Sequence, residues 1–402
     1  MPMLLVEWNK HMAQYYAPKN FNFWYFFGVL SLIVLVIQLG TGIWLLMSYE
    51  GSAELMAEAF LGYVLPWGQM SYWGAQVIIS LFGAIPVIGD GLVEWIRGDY
   101  LISGITLNRF MSLHVVALPI ILLALVVMHI LALHEVGSNN PDGVEIKKYK
   151  DENGKPLDGV AFFPYYLPVH DLMAIIVFLF AFCGILFFAP EMGGYFLEFA
   201  NFEEANPLKT PEHIAPVWYF TPFYSMLRAI DFDFFVIEAK LGGFIVMAAA
   251  IAVMFVLPWL DRSPVKSIRY KGPVWKSMIL LFAASFIILG VLGVKAPTEG
   301  RTILAQICTT FYFIFFLGMP IWSKMDTFKT PPDRITMNGK AGLSFLIGGA
   351  IVLVLSIFPL KAVGGKMLLY GAGLSEMLRH FGSRCWRFTR LLFQSACPEM
   401  FV

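Results

Sequence analysis

The sequence predicts an all-α polytopic membrane protein, built as a transmembrane helix bundle with about eight apolar segments. Hydrophobic residues make up 58% of its 402 residues and charged residues only 14%, and the mean hydropathy is +0.70. A soluble domain carries about 25% charged residues. A helix needs roughly 20 apolar residues to cross a bilayer, and several stretches of this chain are that long. Composition and segment length therefore indicate a chain that crosses a membrane repeatedly.

The apolar segments follow one another along the chain with more polar loops between them. They are predicted at 23–48, 55–85, 109–134, 171–190, 239–260, 273–294, 302–323 and 341–362. The second segment contains Pro66-Trp67-Gly68, and proline and glycine mark breaks in a helix. We therefore expect residues 55–85 to form a helix followed by short helices at the membrane surface.

Lysine and arginine collect in alternate loops. The loops at 143–156, 261–276 and 324–340 are rich in them, whereas those at 86–108, 191–236 and 295–301 are poor for their length. Cytoplasmic loops carry an excess of basic residues. The first set is therefore expected on the cytoplasmic (inner) face and the second on the periplasmic or equivalent (outer) face.

Other features exclude several classes of protein. The formal net charge is zero, which argues against a nucleic-acid partner. Cys183, Cys308, Cys385 and Cys397 show no CxxC spacing, so neither covalent haem attachment, a zinc knuckle nor a disulfide framework is indicated. The N-terminal residues lack the pattern of a cleaved signal peptide, and the first apolar helix is expected to act as the insertion signal.

The stretch from Thr106 to Gly143 contains two histidines within an apolar run, His114 and His129, and His134 at its end. Ionisable side chains inside a membrane helix are costly and mark a functional site by default. In a regular helix, His114 and His129 would lie about 60° apart around the axis and about 22 Å apart along it. One face would then present an imidazole near each side of the membrane, which suits two stacked metal centres. The alternative is that both are ordinary core residues.

The long outer loop that begins at Ala189 combines aromatic clusters with prolines at 190, 207, 211, 216 and 222. It is too apolar for free solvent, so we expect it to pack back on the bundle and roof a hydrophobic pocket. Such a pocket suits a lipid-soluble ring compound. A simple aromatic belt at the membrane interface is the alternative.

Six longer motifs resemble the cytochrome b family, in its proteobacterial form. They are PWGQMSYWGA (66–75), AIPVIGDGLVEWIRGDY (84–100), NRFMSLH (108–114), HILALHEVGSNNPDG (129–143), FPYY (163–166) and PVWYFTPFYSMLRAI (216–230). The resemblance covers most of residues 1–340. It implies the membrane core of ubiquinol–cytochrome c reductase, which passes electrons from ubiquinol through two b haems and couples this to proton translocation.

The resemblance also implies the haem ligands. In this family each of two haem b groups lies between one histidine of helix B and one of helix D. His114 and His129 match the helix D ligands of the low-potential (outer) and high-potential (inner) haem iron. Gly28 and Gly42 on the first helix match glycines that leave room for the haem planes, although glycine is also a common packing residue in membrane helices. Bis-imidazole ligation leaves no open iron position, so such haems carry electrons.

Two ubiquinone sites are implied as well. His134 and Asp171 match the inner, quinone-reducing site, where imidazole and carboxylate would deliver protons, and His170 adjoins them. A solvated helix end is the alternative for these residues.

At the outer, quinol-oxidising site the matching residues are Gly74, Tyr224 and the tetrapeptide Pro216-Val217-Trp218-Tyr219. Most members have glutamate at the second position of that tetrapeptide. Val217 cannot accept a proton, so we expect a relocated proton exit, with Glu212 and His213 as candidates nearby in sequence.

The sequence departs from the family where helix B should be. No histidine occurs between His11 and His114, so helix B and the start of helix C are missing, with a junction near 49–55. A linker of about six residues reaches at most ~20 Å and cannot recross a ~30 Å hydrocarbon core. The first helix or the helix C remnant must therefore be displaced. We expect an incomplete haem-binding bundle that does not hold two haems by ordinary bis-histidine ligation.

The chain is accordingly divided into four parts. Residues 1–170 form the N-terminal haem and quinone region, and 171–340 the C-terminal region with the outer quinol-pocket loop. Residues 341–362 form an extra apolar helix, and 363–402 an atypical basic tail. The tail is either an amphipathic surface helix or the product of out-of-frame translation.

The leading interpretation is the cytochrome b subunit of quinol–cytochrome c oxidoreductase, multi-pass in the cell inner membrane. Its expected partners are a Rieske iron–sulfur protein, a cytochrome c-type subunit, membrane lipid and quinone, in a dimeric complex. A second interpretation is a haem-deficient, non-catalytic scaffold produced by an internally deleted gene. A third is a transporter with buried histidines as proton relays, against which no inverted repeat or paired broken helices are visible.

Overall fold

The computed structural model describes residues 14–47, 60–190, 199–212 and 214–336, together with residues 6, 9 and 12. The first regular element is strand β1 (Tyr16–Pro18), which pairs antiparallel with β2 (Gly159–Ala161). This pairing places the segment before the first long helix beside the segment that precedes the long helix after residue 161. Both helices therefore start from the same end of the molecule.

The N-terminal half contains short helices between two long ones. The 3₁₀ turn Phe23–Phe26, begun by the Asn22 side chain, leads into α1 (Phe27–Leu46). There follow α2 (Phe60–Tyr63), α3 (Gln69–Phe82), α4 (Gly89–Arg97), α5 (Gly104–Ser112), a π-helical turn Leu113–Ala117 and α6 (Leu118–Val136).

The C-terminal half is a sequence of long apolar helices joined by short ones. It contains the π-helical segment Phe162–Asp171, α7 (Leu172–Phe188), the 3₁₀ turn Phe199–Phe202, α8 (Thr221–Ala229), α9 (Ala239–Ala252), the 3₁₀ turn Val253–Val256, α10 (Leu257–Leu260), the 3₁₀ turn Ile268–Tyr270, α11 (Pro273–Val294), α12 (Glu299–Leu317) and α13 (Met319–Trp322).

Six helical runs among the described residues are long and apolar enough to cross a membrane. They are Phe23–Leu46, Gly104–Val136, Phe162–Phe188, Ala239–Leu260, Pro273–Val294 and Glu299–Leu317. These runs confirm six of the predicted segments and the all-α, multi-pass fold. Three of them begin earlier than predicted, at residues 104, 162 and 299 rather than 109, 171 and 302. The run at 104 does so because Ser103 and Thr106 form a capping box, and the run at 162 because a π-helical segment precedes α7.

The predicted segment 55–85 is broken. Among its described residues α2 has four residues and α3 has 14, and a 14-residue helix is about 21 Å long, too short to span. No membrane-length helix occurs between Met47 and Gly104 among the described residues. The junction itself, the segment 341–362 and the tail 363–402 lie outside the described residues.

The main hydrophobic core lies in the C-terminal half. Its fully buried centre includes Tyr312, Met226 and Leu289, from α12, α8 and α11. The Tyr312 hydroxyl donates a 2.8 Å hydrogen bond to the Ala250 carbonyl of α9. Helices α8 and α11 approach closely because Gly293 has no side chain. A Cβ there would lie 2.1 Å from the Thr221 carbonyl oxygen.

The long helices α1 and α6 of the N-terminal half, by contrast, are largely exposed. Neither α1 nor α6 contains a buried residue. Four consecutive side chains of α6, Ile120 to Leu123, are 43–63% exposed, and four consecutive helical positions cover the whole circumference. The middle of α6 therefore has no partner on any side among the described residues.

The inner end is closed by polar contacts between the three basic loops. Asp142 is 1% exposed and accepts hydrogen bonds from Asn20, Arg269, Tyr270 and Thr336 at 2.8–3.0 Å. Nearby, Asp158 pairs with Arg334 at 2.7 Å, and Lys148 pairs with Asp333. The described parts of the loops 143–156, 261–276 and 324–340 therefore share one end of the molecule, as the charge pattern predicts.

The other end collects the loops that are poor in basic residues. The start of α3 is joined to the residues after Phe199, since Gln69 N donates to the Glu203 carbonyl at 2.8 Å and Ser71 N to the Asn201 side chain at 2.8 Å. The Arg228 guanidinium donates to the carbonyls of Leu292 and Lys295. Burial lowers the pKa of Arg228. The described part of the outer loop thus packs back on the bundle, which confirms that expectation.

Candidate quinone and haem sites

A cavity of about 910 Å³ lies at the outer end. Its walls come from α2, α3, α4 and α5, and its roof comes from residues 214–220 and the start of α8. Four of the five residues predicted for the outer quinol site line it, namely Gly74, Pro216, Tyr219 and Tyr224. Positions up to 150 residues apart in the chain thus meet at one apolar cavity.

Local structure explains how these residues open the cavity. Gly74 lies on α3, and an added Cβ would meet only the Tyr63 ring, at 3.8 Å. Its missing side chain therefore leaves free space inside the wall. The roof is fixed to α8 by the Tyr224 hydroxyl, which donates a long, 3.5 Å hydrogen bond to the Ile214 carbonyl.

The sequence argument missed the α4–α5 wall. Trp95, Ile105, Arg109 and Phe110 line the cavity, and the Arg109 guanidinium donates to the Trp95 carbonyl. The only signal for them was their position in the motifs 84–100 and 108–114, where no individual role was assigned. Among the described lining residues Arg109 is the only charged one.

Trp218 does not line the cavity although it belongs to the predicted tetrapeptide. Its side chain is 59% exposed and packs edge-on against Tyr219, with ring centroids 5.5 Å apart. Val217 lines the cavity in its place. Glu212 is exposed and is not among the lining residues, and His213 lies outside the described residues. The structure therefore brings no carboxylate into the described wall.

His114 and His129 lie on one long helical run, but the run is not uniformly α-helical. Leu113–Ala117, which includes His114, is a π-helical turn. A π-helical turn accommodates one extra residue, so the 15 positions behave as about 14 steps and the two imidazoles lie within about 40° of each other. The turn changes the expected angle by a fraction of a helical turn, and both histidines still lie on one side of the run.

The environments of the two histidines differ. His114 is half-buried, and its buried Nδ1 atom has no hydrogen-bond partner among the described residues. His129 is exposed in the middle of α6. Both could offer an imidazole to a metal, His114 near the outer cavity and His129 towards the inner end.

These residues do not fit two bis-histidine haems. Each haem iron of that kind needs two imidazoles, and the described residues contain only two further histidines, His134 and His170. His134 stacks on Tyr15 at 4.2 Å between ring centroids, and His170 stacks on Tyr166 at 5.0 Å. No group of three or more metal-ligating side chains occurs among the described residues.

The two α1 glycines that were predicted to lie beside the haem planes, Gly28 and Gly42, have free space around them. An added Cβ at Gly28 or Gly42 would meet nothing within 4 Å. Their role beside a haem plane stays a prediction.

The predicted inner-site residues lie along a row of aromatic rings. Tyr15 stacks on His134 and packs edge-on against Phe162, which stacks on Tyr166 at 6.1 Å. Tyr166 stacks in turn on His170, the neighbour of Asp171. Asp171 is 6% exposed. The structure thus connects His134 with the start of α7, while a role in quinone reduction stays a prediction.

Fold and cavity together define a multi-pass membrane protein with an apolar internal cavity near one end. Comparison with known proteins is consistent with this class. Residues 52–137 match the family described as Cytochrome b/b6/petB, and residues 204–313 match Cytochrome b(C-terminal)/b6/petD. Cytochrome b of Allochromatium vinosum is 47% identical over 397 residues, covering 82% of this chain and 95% of that protein.

Further relatives agree. Cytochrome b of Rhodospirillum rubrum is 37% identical over 381 residues, covering 79% of this chain and 89% of that protein. A solved chain of a hyperthermophilic respiratory Complex III superposes with a TM-score of 0.70 at 29% identity, covering 81% of this chain and 97% of its own length. The chain belongs to the cytochrome b family.

Proposed function

We propose that this chain is the quinone-binding membrane subunit of a respiratory quinol–cytochrome c reductase. The observation that carries the proposal is the outer cavity, in which Gly74, Pro216, Tyr219 and Tyr224 meet. The proposed partners are a Rieske iron–sulfur protein and a cytochrome c-type subunit in a dimeric complex of the cell inner membrane. The inner residues His134 and Asp171 serve a second quinone.

The cavity acts by binding and by excluding water. Its volume of about 910 Å³ is within the range of ligand sites for drug-sized molecules, roughly 300–1,000 Å³. Apolar walls bind the quinol ring and the start of its tail, and the space over Gly74 admits the ring. Since Val217 cannot accept a proton and the described wall contains no carboxylate, the quinol proton leaves through a hydroxyl group or water.

Binding is tested with a short-chain ubiquinol and the purified chain in detergent, followed by tryptophan fluorescence. Gly74→Leu fills the cavity and is expected to weaken binding at least tenfold, or about 1.4 kcal/mol. Gly40→Leu is the matched control, because an added Cβ at Gly40 meets nothing within 4 Å and the residue lies on α1, away from the cavity. Equal affinity in both variants would overturn the assignment.

The haem content is a separate part of the proposal. The family normally holds two b haems, whereas the described residues offer one imidazole towards each. We therefore propose that it does not bind two haems by bis-histidine ligation. A pyridine-haemochrome assay decides this, since two haems per chain contradict it.

A second candidate is the haem-deficient scaffold, favoured by the open face of α6. The oxidised-minus-reduced spectrum separates the candidates. A two-component b-type signal supports a complete electron-transfer subunit, and no signal supports the scaffold. Substrate flux without haem would instead support a transporter.

A further inference from the structure

Arg228 lies near the end of α8 and stacks on a residue of the outer cavity. Its guanidinium carbon lies 4.5 Å from the centre of the Tyr224 ring, and Tyr224 lines the cavity. Residues four positions apart are neighbours on one face of a helix, and a guanidinium within about 6 Å of a ring centre is attracted to the ring face. Arg228 itself is not among the lining residues. Any effect it has on the cavity must therefore pass through a residue that it contacts.

The guanidinium is held in place by the end of α11. It donates to the Leu292 carbonyl at 2.8 Å and to the Lys295 carbonyl at 3.1 and 3.2 Å. The last carbonyls of a helix lack the regular partners of its interior, and they carry a partial negative charge that favours a cation. The position of the guanidinium is therefore set by α11, independently of the ring on which it stacks.

The Tyr224 side chain has few other specific contacts. Its hydroxyl donates to the Ile214 carbonyl at 3.5 Å, which is longer than an ordinary hydrogen bond between these groups. Within the part of the chain that the structure describes, no aromatic ring packs on Tyr224. Stacking on Arg228 is therefore the contact that fixes the orientation of the ring in the cavity wall.

Arg228 is not required to bring α8 and α11 together. The two helices already touch at Gly293, where an added Cβ would lie 2.1 Å from the Thr221 carbonyl oxygen. Met226 of α8 and Leu289 of α11 are also fully buried in the same hydrophobic core. Backbone contact and apolar burial thus account for the helix pair, and the stacked cation has a separate role.

We propose that Arg228 is a positioning residue of the outer cavity, which holds the Tyr224 ring in the orientation at which it lines the wall. The proposal rests on the proposed function, since the orientation of the ring matters for the quinol that the cavity binds. Arginine suits this position because its planar group stacks on a ring while its N–H groups donate in the same plane. The affinity of the cavity therefore depends on a residue that lies outside it.

Binding of a short-chain ubiquinol to the purified full chain in detergent, followed by tryptophan fluorescence, tests the proposal. Arg228→Gln removes the cation and should weaken binding about threefold to fivefold. In a Tyr224→Leu background the same change should have no further effect on affinity, because the ring through which Arg228 acts is gone. Arg228→Lys keeps the charge without the planar group and should give an intermediate affinity, and it replaces Arg228→Gln in the comparison if that variant does not fold.

Arg301→Gln is the matched control. Arg301 also donates to a carbonyl at the outer end, that of Ala296 at 2.8 Å, but it is not among the described lining residues. The affinity of this variant should equal that of the wild type. The proposal is overturned if Arg228→Gln leaves the affinity unchanged, if its effect persists in the Tyr224→Leu background, or if Arg301→Gln produces the same loss. The last two results would make Arg228 a residue of general structural importance.

A measurement without ligand separates this proposal from the quinol assignment. The chain is labelled with fluorotyrosine, and the fluorine NMR signal of Tyr224 is identified by its loss in Tyr224→Phe. This signal should shift in Arg228→Gln and stay unchanged in Arg301→Gln. If Gly74→Leu leaves quinol binding unchanged, the proposed function fails, and the NMR signal alone decides whether Arg228 positions the ring. Absence of the shift overturns the positioning role whatever the chain binds.

Discussion

Replacing Asp142 by asparagine removes one negative charge from the centre of the inner end. The change keeps the size of the side chain and turns one acceptor oxygen into an NH₂ donor. In the structure Asp142 accepts from the Arg269 guanidinium, the Tyr270 hydroxyl, the Asn20 amide and both donors of Thr336. An amide nitrogen at this place would point at some of these donors and leave them unpaired.

The size of the effect is set by burial. The Asp142 side chain is fully buried, while Arg269 is 40% exposed. Hydrogen bonds to charged groups contribute about 1.5–3 kcal/mol each, and removing one partner of a buried pair costs about 3–5 kcal/mol. Because Arg269 is partly screened by solvent and the hydrogen bonds are not additive, we expect a loss of about 3 kcal/mol. For a chain of this size that corresponds to a fall in Tm of roughly 3–4 °C.

The assay is thermal unfolding in detergent followed by intrinsic fluorescence, combined with limited proteolysis of the loop 143–156. Asp333→Asn is the matched control, since Asp333 also pairs with a lysine of that loop but is 64% exposed. We expect no measurable change there, because exposed ion pairs contribute little. If Asp142→Asn and Asp333→Asn behave alike, the reasoning from burial is wrong.

Three further outcomes are expected. Gly293→Ala should lower stability, measured as Tm, by about 1–3 kcal/mol through overpacking, because its Cβ would meet the Thr221 carbonyl oxygen at 2.1 Å. Gly300→Ala is the control and should not lower Tm, because a Cβ there meets nothing within 4 Å. Thr336→Val removes only the side-chain donor to Asp142 and should lower stability by about 1 kcal/mol, less than Asp142→Asn. An equal loss would mean that the remaining donors to Asp142, among them the Thr336 backbone N–H, contribute nothing. Burial raises the pKa of Asp142, but hydrogen bonds from Thr336, Tyr270 and Arg269 lower it below its ordinary value. Its contribution to stability is therefore complete above about pH 3.9, the unfolded value, and is lost as pH falls through the folded value. The wild-type Tm should drop more steeply in acid than that of Asp142→Asn.

Sequence alone predicted the elements whose signal is local. The apolar runs at 239–260 and 273–294 were predicted with the bounds of the observed spans, because a membrane helix must satisfy its backbone internally and so appears as one uninterrupted stretch. The grouping of the basic loops followed from charge composition. Four outer-site residues were found through motif resemblance, and the cavity brings them together.

What sequence could not predict depends on contacts between distant parts of the chain. Asp142 lies in an Asn-Pro-Asp-Gly stretch that signals only a turn, and its four partner residues come from three other segments. The π-helical turn at His114 leaves the hydropathy pattern unchanged, so the angle to His129 could not be obtained by counting residues. Trp218 was included in the predicted site because it lies in the tetrapeptide that matches the family. Its side chain is exposed and does not line the cavity.

The predicted absence of helix B should affect His114 and His129 but not the outer cavity. The described walls of the cavity come from α2 to α5, the following Leu113 and the roof at 214–224, and none of them belongs to α1 or to the residues around the junction. The family's opposite haem ligands come from helix B, whereas the cavity keeps four of its five predicted lining residues, all but Trp218. Quinol binding and haem binding should therefore separate in this chain. We expect the purified protein to bind a short-chain ubiquinol with an affinity that Gly74→Leu reduces, while the pyridine-haemochrome assay gives fewer than two haems. Loss of both together would mean that the cavity needs the haem bundle for its shape.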